Sequence, residues 1–261
     1  MYPGPTSQNV EIWAFDLLAL TWSPVDPGRD VTSGSWMPGC LWRDSNKFLM
    51  FGDRNGTADD YREHHINLDH VAIIDLESFG IYQPPPLELD FETQELSLFA
   101  LEEASVDGDF EIICDDARRI KCSRKLLASR WPWFNTQLSR LRQKAKFALE
   151  TPPVSARSSR RLDEKQPDLR ITPHRLNLAE QYEVTWSLLR YFYTLSLHSE
   201  SPSVLCRLLV LSTEYEIPRL RSLVTHAMHL SLSEETCDDF YSAATRCDCQ
   251  SLQFRYVGLS S

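Results

Sequence analysis

The sequence predicts an α+β protein in two parts: small antiparallel β structure first, then a mixed domain of short strands and helices. Three observations carry this expectation. Apolar and polar residues alternate in short runs between residues 10 and 82, the two-residue period of half-buried strands. Beyond residue 182 apolar residues recur every three or four, the period of helices with one buried face. Between them the charge changes sign. Residues 1–117 carry 23 Asp/Glu against 5 Lys/Arg, a net −18, whereas residues 118–261 carry 14 against 22, a net +8. The two add to the chain's −10 and place a boundary near residue 100.

At 261 residues the chain is long enough for two ordinary domains. Its 42% apolar and 25% charged residues suit a globular protein rather than a disordered one. No apolar run approaches the ~18 residues of a membrane helix. The opening M-Y-P-G-P-T-S-Q lacks the basic and apolar regions of a secretory signal. Seven cysteines, an odd number without a compact framework, fit a reduced compartment. The expected location is therefore the cytoplasm, with the nucleus as the alternative. No membrane partner is expected, and the acidic N-terminal part would repel nucleic-acid phosphates.

The elements follow in order. In residues 10–24, Ile12, Ala14 and Asp16 share one side and Trp13 and Phe15 the other; a turn at Asp16–Ala19 leads to Thr21-Trp22. After a stretch rich in Pro, Gly, Asp and Ser, Gly39–Asp53 reads as two strands around Asp44-Ser45-Asn46. A polar loop covers Arg54–His70, and Val71–Tyr82 reads as strand, turn and strand. Pro84-Pro85-Pro86 is a stiff spacer. Leu87–Ala104 alternates acidic and apolar residues, either an acidic linker or a segment packed on the following domain.

The most informative stretch is Asp109–Phe134. Phe110, Ile112 and Cys114 alternate as a strand, Asp115-Asp116 supplies turn chemistry, and Ile120 and Cys122 form the return strand. Ser123 is an N-cap for the helical turn Arg124–Arg130. Pro132 suits the opening of the next helix, and Trp131, Trp133 and Phe134 need a packed partner. Asn135–Ala148 has Leu138, Leu141, Ala145 and Ala148 at helical spacing. Residues 151–170 are rich in Pro, Ser and Arg and read as a loop inside the domain. There Arg157, Arg160 and Arg161 near Ser155, Ser158 and Ser159 are either a modification or anion site or, the favoured reading, a solvated loop. Arg175–Leu178 is a short strand and Glu183–Leu195 a helix with a broad apolar face. Ser201-Pro202 caps a helix from Val204 to Tyr215, and Pro218 starts another. Ser231-x-x-Glu234 reads as a capping box for a last helix reaching Arg246.

Catalytic chemistry is not expected. His64, His65 and His70 lie with Glu63 and Asp69 in an acidic loop, where metal binding is weaker as a reading than simple solvation. Cys247-Asp-Cys249 lacks the spacing and second pair of a zinc site. No phosphate-binding or nucleophile-elbow motif is present. The expectation is no enzyme, no cofactor and no metal.

The hairpin, the turn S-R-K-L-L-A and W-P-W-F resemble the opening of a BTB/POZ domain, with Ser123 and Trp131 departing from the family's usual His and Ser. Leu188-Leu189-x-Tyr191-x-Tyr193-Thr194 and the Leu205–Tyr215 helix resemble later BTB helices. F-L-M-F-G-D (Phe48–Asp53) and the similar segments 13–22 and 71–82, 59 residues apart from Asp16 to Asp75, resemble kelch blades. A closed propeller needs roughly 4–8 blades, so either the chain is a piece of a longer protein or its sheet packs on something else. The resemblance implies kelch-like antiparallel β structure over 1–86, a linker over 87–104, a BTB/POZ-like domain over 105–230 with its insert 151–170, and the start of a helical extension over 231–261. It implies a fungal-type kelch–BTB adaptor that forms a homodimer through the first strand and helix. Asp109, Phe110, Arg124, Leu127, Trp131 and Phe134 are the candidate interface, with Asp109 and Arg124 as a buried pair. Partners implied are cullin scaffolds of ubiquitin ligases or signalling proteins of small-GTPase pathways. A BTB transcription regulator and a fragment of a kelch-type propeller enzyme are the alternatives.

Overall fold

A computed structural model describes residues 10–17, 19–32, 34–56, 68–150 and 173–257, with the side chains of 145 and 148–150 left aside. His64, His65 and the insert 151–170 lie outside the described residues. The chain is mixed α+β, with small sheets and helices, and divides into two compact units: Met1–Pro84 with Asp248–Ser261, and Pro85–Cys247.

In the first unit β1 (Ile12–Asp16) and β2 (Thr21–Val25) pair antiparallel around the expected turn. Asp16 closes that turn by accepting from the Ala19 N–H at 3.0 Å. A short helix, α1 (Arg29–Thr32), leads to β3 (Ser35–Trp36), β4 (Cys40–Trp42), β5 (Lys47–Asp53) and β6 (His70–Asp75). Strand β5 is central, with β3 and β4 on one side and β6 on the other, all antiparallel. Val25, Val31, Trp36, Met50, Ala72, Ile74 and Leu76 form the core, with Ile12, Ala14 and Phe48 packed against it. The Trp36 indole N–H donates to the Val31 carbonyl at 2.8 Å, which satisfies a buried polar group.

Val71–Tyr82 is not strand, turn and strand. After β6 the chain makes a 3-10 turn, Leu76–Phe79, capped by Asp75 and ended by Gly80 at φ 77°. The Ile81 N–H then returns to the Leu76 carbonyl at 3.0 Å, so these residues bond within the turn and extend no sheet. Segments 13–22 and 71–82 are thus alike in sequence and different in structure: only the first is a hairpin. A helix that periodicity did not reveal, Gln250–Val257, packs on the 3-10 turn. It is eight residues long and buries Leu252 and Tyr256, too few positions to register as a period.

The second unit opens with α2 (Phe91–Asp107), which occupies most of the stretch read as an acidic linker. Asp90 caps it, accepting from the Thr93 N–H at 2.8 Å. Strands β7 (Phe110–Ile113) and β8 (Arg119–Cys122) form the expected hairpin, and β9 (Arg175–Asn177) adds in parallel to β7. Among the described residues six helices follow in this unit, the first five being α3 (Arg124–Arg130), α4 (Pro132–Glu150), α5 (Tyr182–Thr194), α6 (Pro202–Glu214) and α7 (Pro218–Leu230). A last helix, α8 (Cys237–Arg246), begins later than the capping box implied. Thr236 Oγ1 donates to the Ser231 and Ser233 carbonyls and accepts from the Ser233 N–H, holding 231–236 as a turn.

Candidate interaction surface

The aromatic cluster predicted at Trp131–Phe134 is the packing centre of the second unit. Trp131 stacks on Phe192 at 4.7 Å and on Trp133 at 5.1 Å, and meets Tyr215 edge-on at 5.2 Å. Phe134 meets Phe110 edge-on at 5.0 Å. The Trp131 indole N–H is buried and has no hydrogen-bond partner, a cost its apolar contacts must exceed. Three bonds tie the hairpin–helix joint to α5: the Ser123 N–H donates to the Tyr193 hydroxyl at 2.8 Å, and Arg130 donates to the Phe192 and Tyr193 carbonyls. Burial in this centre pushes the Cys122 thiol up to about 12, so it is protonated and unreactive at neutral pH.

Of the six candidate interface residues, Phe110, Leu127, Trp131 and Phe134 are therefore engaged in the chain's own core, each at most 1% exposed. They can brace a docking surface from behind; their own surface is already covered. Asp109 and Arg124 do form a pair. Asp109 accepts from the Arg124 N–H at 2.8 Å, and its other carboxylate oxygen lies 3.5 Å from the guanidinium. The pair is not buried in the single chain, since the Asp109 side chain is 53% exposed. The carboxylate sits at the start of α3, where the helix's free N–H groups favour a negative charge.

Just before this pair in the chain lies a surface that the alternation of 87–104 concealed. Helix α2 packs one side, centred on the fully buried Leu101, against α5 and β8. At 100° per residue, Leu96, Phe99 and Val106 fall on the opposite side, and they are 69%, 66% and 64% exposed. Glu95, Glu102 and Glu103 are exposed beside them. The helix is apolar on two sides, one of which the fold covers. Two apolar stripes at helical spacing in residues 91–107 were the signal available in the sequence. The expected acid–apolar alternation hid them, because a two-residue period and two opposed helical stripes overlap over short stretches.

The histidine and cysteine candidates remain separate from this surface. His70 Nδ1 lies 3.4 Å from the Asp53 carboxylate in the first unit. Cys247 and Cys249 are buried at the end of α8 and just beyond it. Among the described residues no group of three or more His, Cys, Asp or Glu is placed to hold a metal ion. Nor is any helix among them long and apolar enough to cross a membrane.

No family model matches the chain. Protein ral2 of Schizosaccharomyces pombe is 26% identical over 262 residues, which cover 98% of this chain and 42% of that protein. The chain thus spans less than half the length of this curated relative. A solved structure of the BTB (Tramtrack and Bric a brac) domain of human gigaxonin aligns with 69% of this chain and 99% of its own, at 13% identity and a TM-score of 0.27.

Proposed function

We propose that this chain is a non-enzymatic protein–protein interaction adaptor that pairs with a second copy through its BTB/POZ-like second unit. The observation that carries the reading is the outer face of α2. Three large apolar side chains stand in water on a helix whose opposite face is already buried. Exposed apolar clusters of this kind mark interaction surfaces. In the chain this helix leads directly into the strand and the Asp109–Arg124 pair that the family resemblance assigns to dimerisation. The order of hairpin, α3 and W-P-W-F supports the same reading, as do α5 and α6 at the positions of the matching motifs. The first unit, with its sheets of alternating exposed and buried residues, would be a kelch-like β module that presents partners. Cullin-based ubiquitin transfer and small-GTPase signalling are the settings this combination implies.

The test is the solution mass of the whole chain by light scattering across micromolar concentrations. The expected result is twice 30.1 kDa, with Phe99→Asp returning the mass to one chain while its circular dichroism is unchanged. A wild-type monomer at tens of micromolar would overturn the reading. A dimer indifferent to Phe99→Asp would move the interface elsewhere.

A further inference from the structure

Charge within the second unit is sorted unevenly. Several of its acidic and basic side chains pair internally: Asp116 and Glu183 on Arg118, Glu111 on Arg175, Glu180 on Arg207, Glu200 on Arg190 and Glu88 on Arg219. Among the side chains left unpaired, two helices carry charge of one sign each. Helix α2 contains no Lys or Arg and exposes Glu95, Glu102 and Glu103 around its apolar stripe. Helix α4 contains no Asp or Glu before Glu150 and exposes Arg140, Arg142, Lys144 and Lys146. Among the described residues none of these seven side chains makes an ion pair. At 100° per residue Arg140 and Lys144 lie about 40° apart on one side of α4, while Arg142 and Lys146 fall on the opposite side.

We infer that the acidic, apolar face of α2 is met in a second copy of this chain by the side of α4 that carries Arg140 and Lys144. The inference rests on the homodimer reading and names the surface opposite α2. Packing α2 against another α2 would bring like carboxylates together around the apolar stripe, an arrangement that opposes association. Packing it against α4 neutralises both patches. Under a two-fold axis each copy supplies one α2 and one α4, so the same contact forms twice and the assembly closes at two chains. The apolar stripe then supplies burial, while the charges choose the partner helix and its direction.

Two charge-reversed full-length chains test this. One carries Glu95→Lys, Glu102→Lys and Glu103→Lys; the other carries Arg140→Glu and Lys144→Glu. Each alone meets like charge in both contacts and should self-associate at least about tenfold more weakly than wild type. Mixed one to one, every contact again joins opposite signs, and the heterodimer should recover to within about threefold of wild type. Raising salt from 50 to 500 mM should weaken the wild-type dimer, because exposed charges are screened within a few ångströms at high salt. Recovery on mixing also shows that both variants are folded. A dimer that ignores both reversals overturns the α4 contact while leaving the homodimer standing. So do two monomeric variants, each with wild-type circular dichroism, that stay apart when mixed. A monomeric wild type overturns the homodimer reading itself, and the contact with it.

Discussion

The two units manage apolar surface in opposite ways. In the first, the inward residues of the sheets form a small core while the outward ones stay apolar: Phe51, Val71 and Ile73 beside Met50, Ala72 and Ile74. Trp13, Phe15 and Trp22 likewise face outward from the β1–β2 hairpin. In the second, the largest side chains are almost all enclosed, and the outer face of α2 is the principal exception along its helices. A hairpin and a four-stranded sheet have two faces and few residues to cover either. A bundle of helices closes around one centre and leaves fewer of its large apolar residues outside. The first unit is therefore a sheet whose outer surfaces are unfinished, and the second a nearly finished core with one open face.

That contrast can be broken most directly at tryptophan. Trp131→Ala should destabilise the second unit by about 3–5 kcal/mol, the range for deleting a large buried aromatic. Trp22→Ala, at an exposed position, should stay within about 0.5 kcal/mol. Urea unfolding followed by circular dichroism measures both, and equal losses would refute the contrast. Trp131→Phe sharpens it: the ring stacking survives and the unpartnered N–H disappears, so the cost should fall below about 1.5 kcal/mol.

Ion pairs should follow the same division, with a somewhat smaller effect. Glu180 has a side chain 7% exposed and accepts two bonds from Arg207. Arg207→Met strands that carboxylate and should cost about 3 kcal/mol. Arg54 and Asp30 in the first unit are more than half exposed, so Arg54→Met should cost at most about 0.5 kcal/mol. Parallel denaturant titrations of the two variants make the comparison.

Alkaline pH offers a gentler probe. Burial pushes the Tyr191 and Tyr215 hydroxyls up to about 12 from 10.0. A raised folded pKa means the fold favours the neutral phenol. That contribution is complete below pH 10 and is lost as pH rises toward about 12. The second unit should therefore lose stability between pH 10 and 12, and Tyr191→Phe should flatten that loss. Phenolate absorbance gives the check, since a simple titration near 10 for every tyrosine would contradict the burial.

The smallest effect, in stability terms none, lies in thiol labelling. Cys40 is exposed in the first unit, whereas Cys114 and Cys122 are buried in the second. Under native conditions Cys40 should react at once and Cys122 only at the opening rate of the second unit. Rapid labelling of Cys122 would show that its surroundings open locally.

Much of the fold could be read from local order. The hairpin of Asp109–Cys122, the Ser123 cap and the proline-started helices each depend on neighbours a few residues away, where turn chemistry and caps act. The β1–β2 hairpin and the burial of Trp131–Phe134 came from the same kind of signal. The failures were of another kind. Gly80–Tyr82 looked like a strand because it is apolar, but the φ of Gly80 and the bond from Ile81 to Leu76 keep it in the turn. Residues 87–104 read equally as an acidic linker or as a segment packed on the next domain, because alternation hid two helical stripes.

What the sequence determined alone was the kind of element at most positions and which residues had to be enclosed. Only the tertiary structure decided which apolar residues were left over. Burial belongs to a pair of surfaces, and Leu101 and Phe99 are equally apolar two residues apart on one helix. The arrival of α5 and β8 on one side of α2 encloses the first and leaves the second in water. The same placement turned four of the six candidate interface residues into core. It left the proposed surface to residues whose alternation alone could not separate a linker from a packed segment.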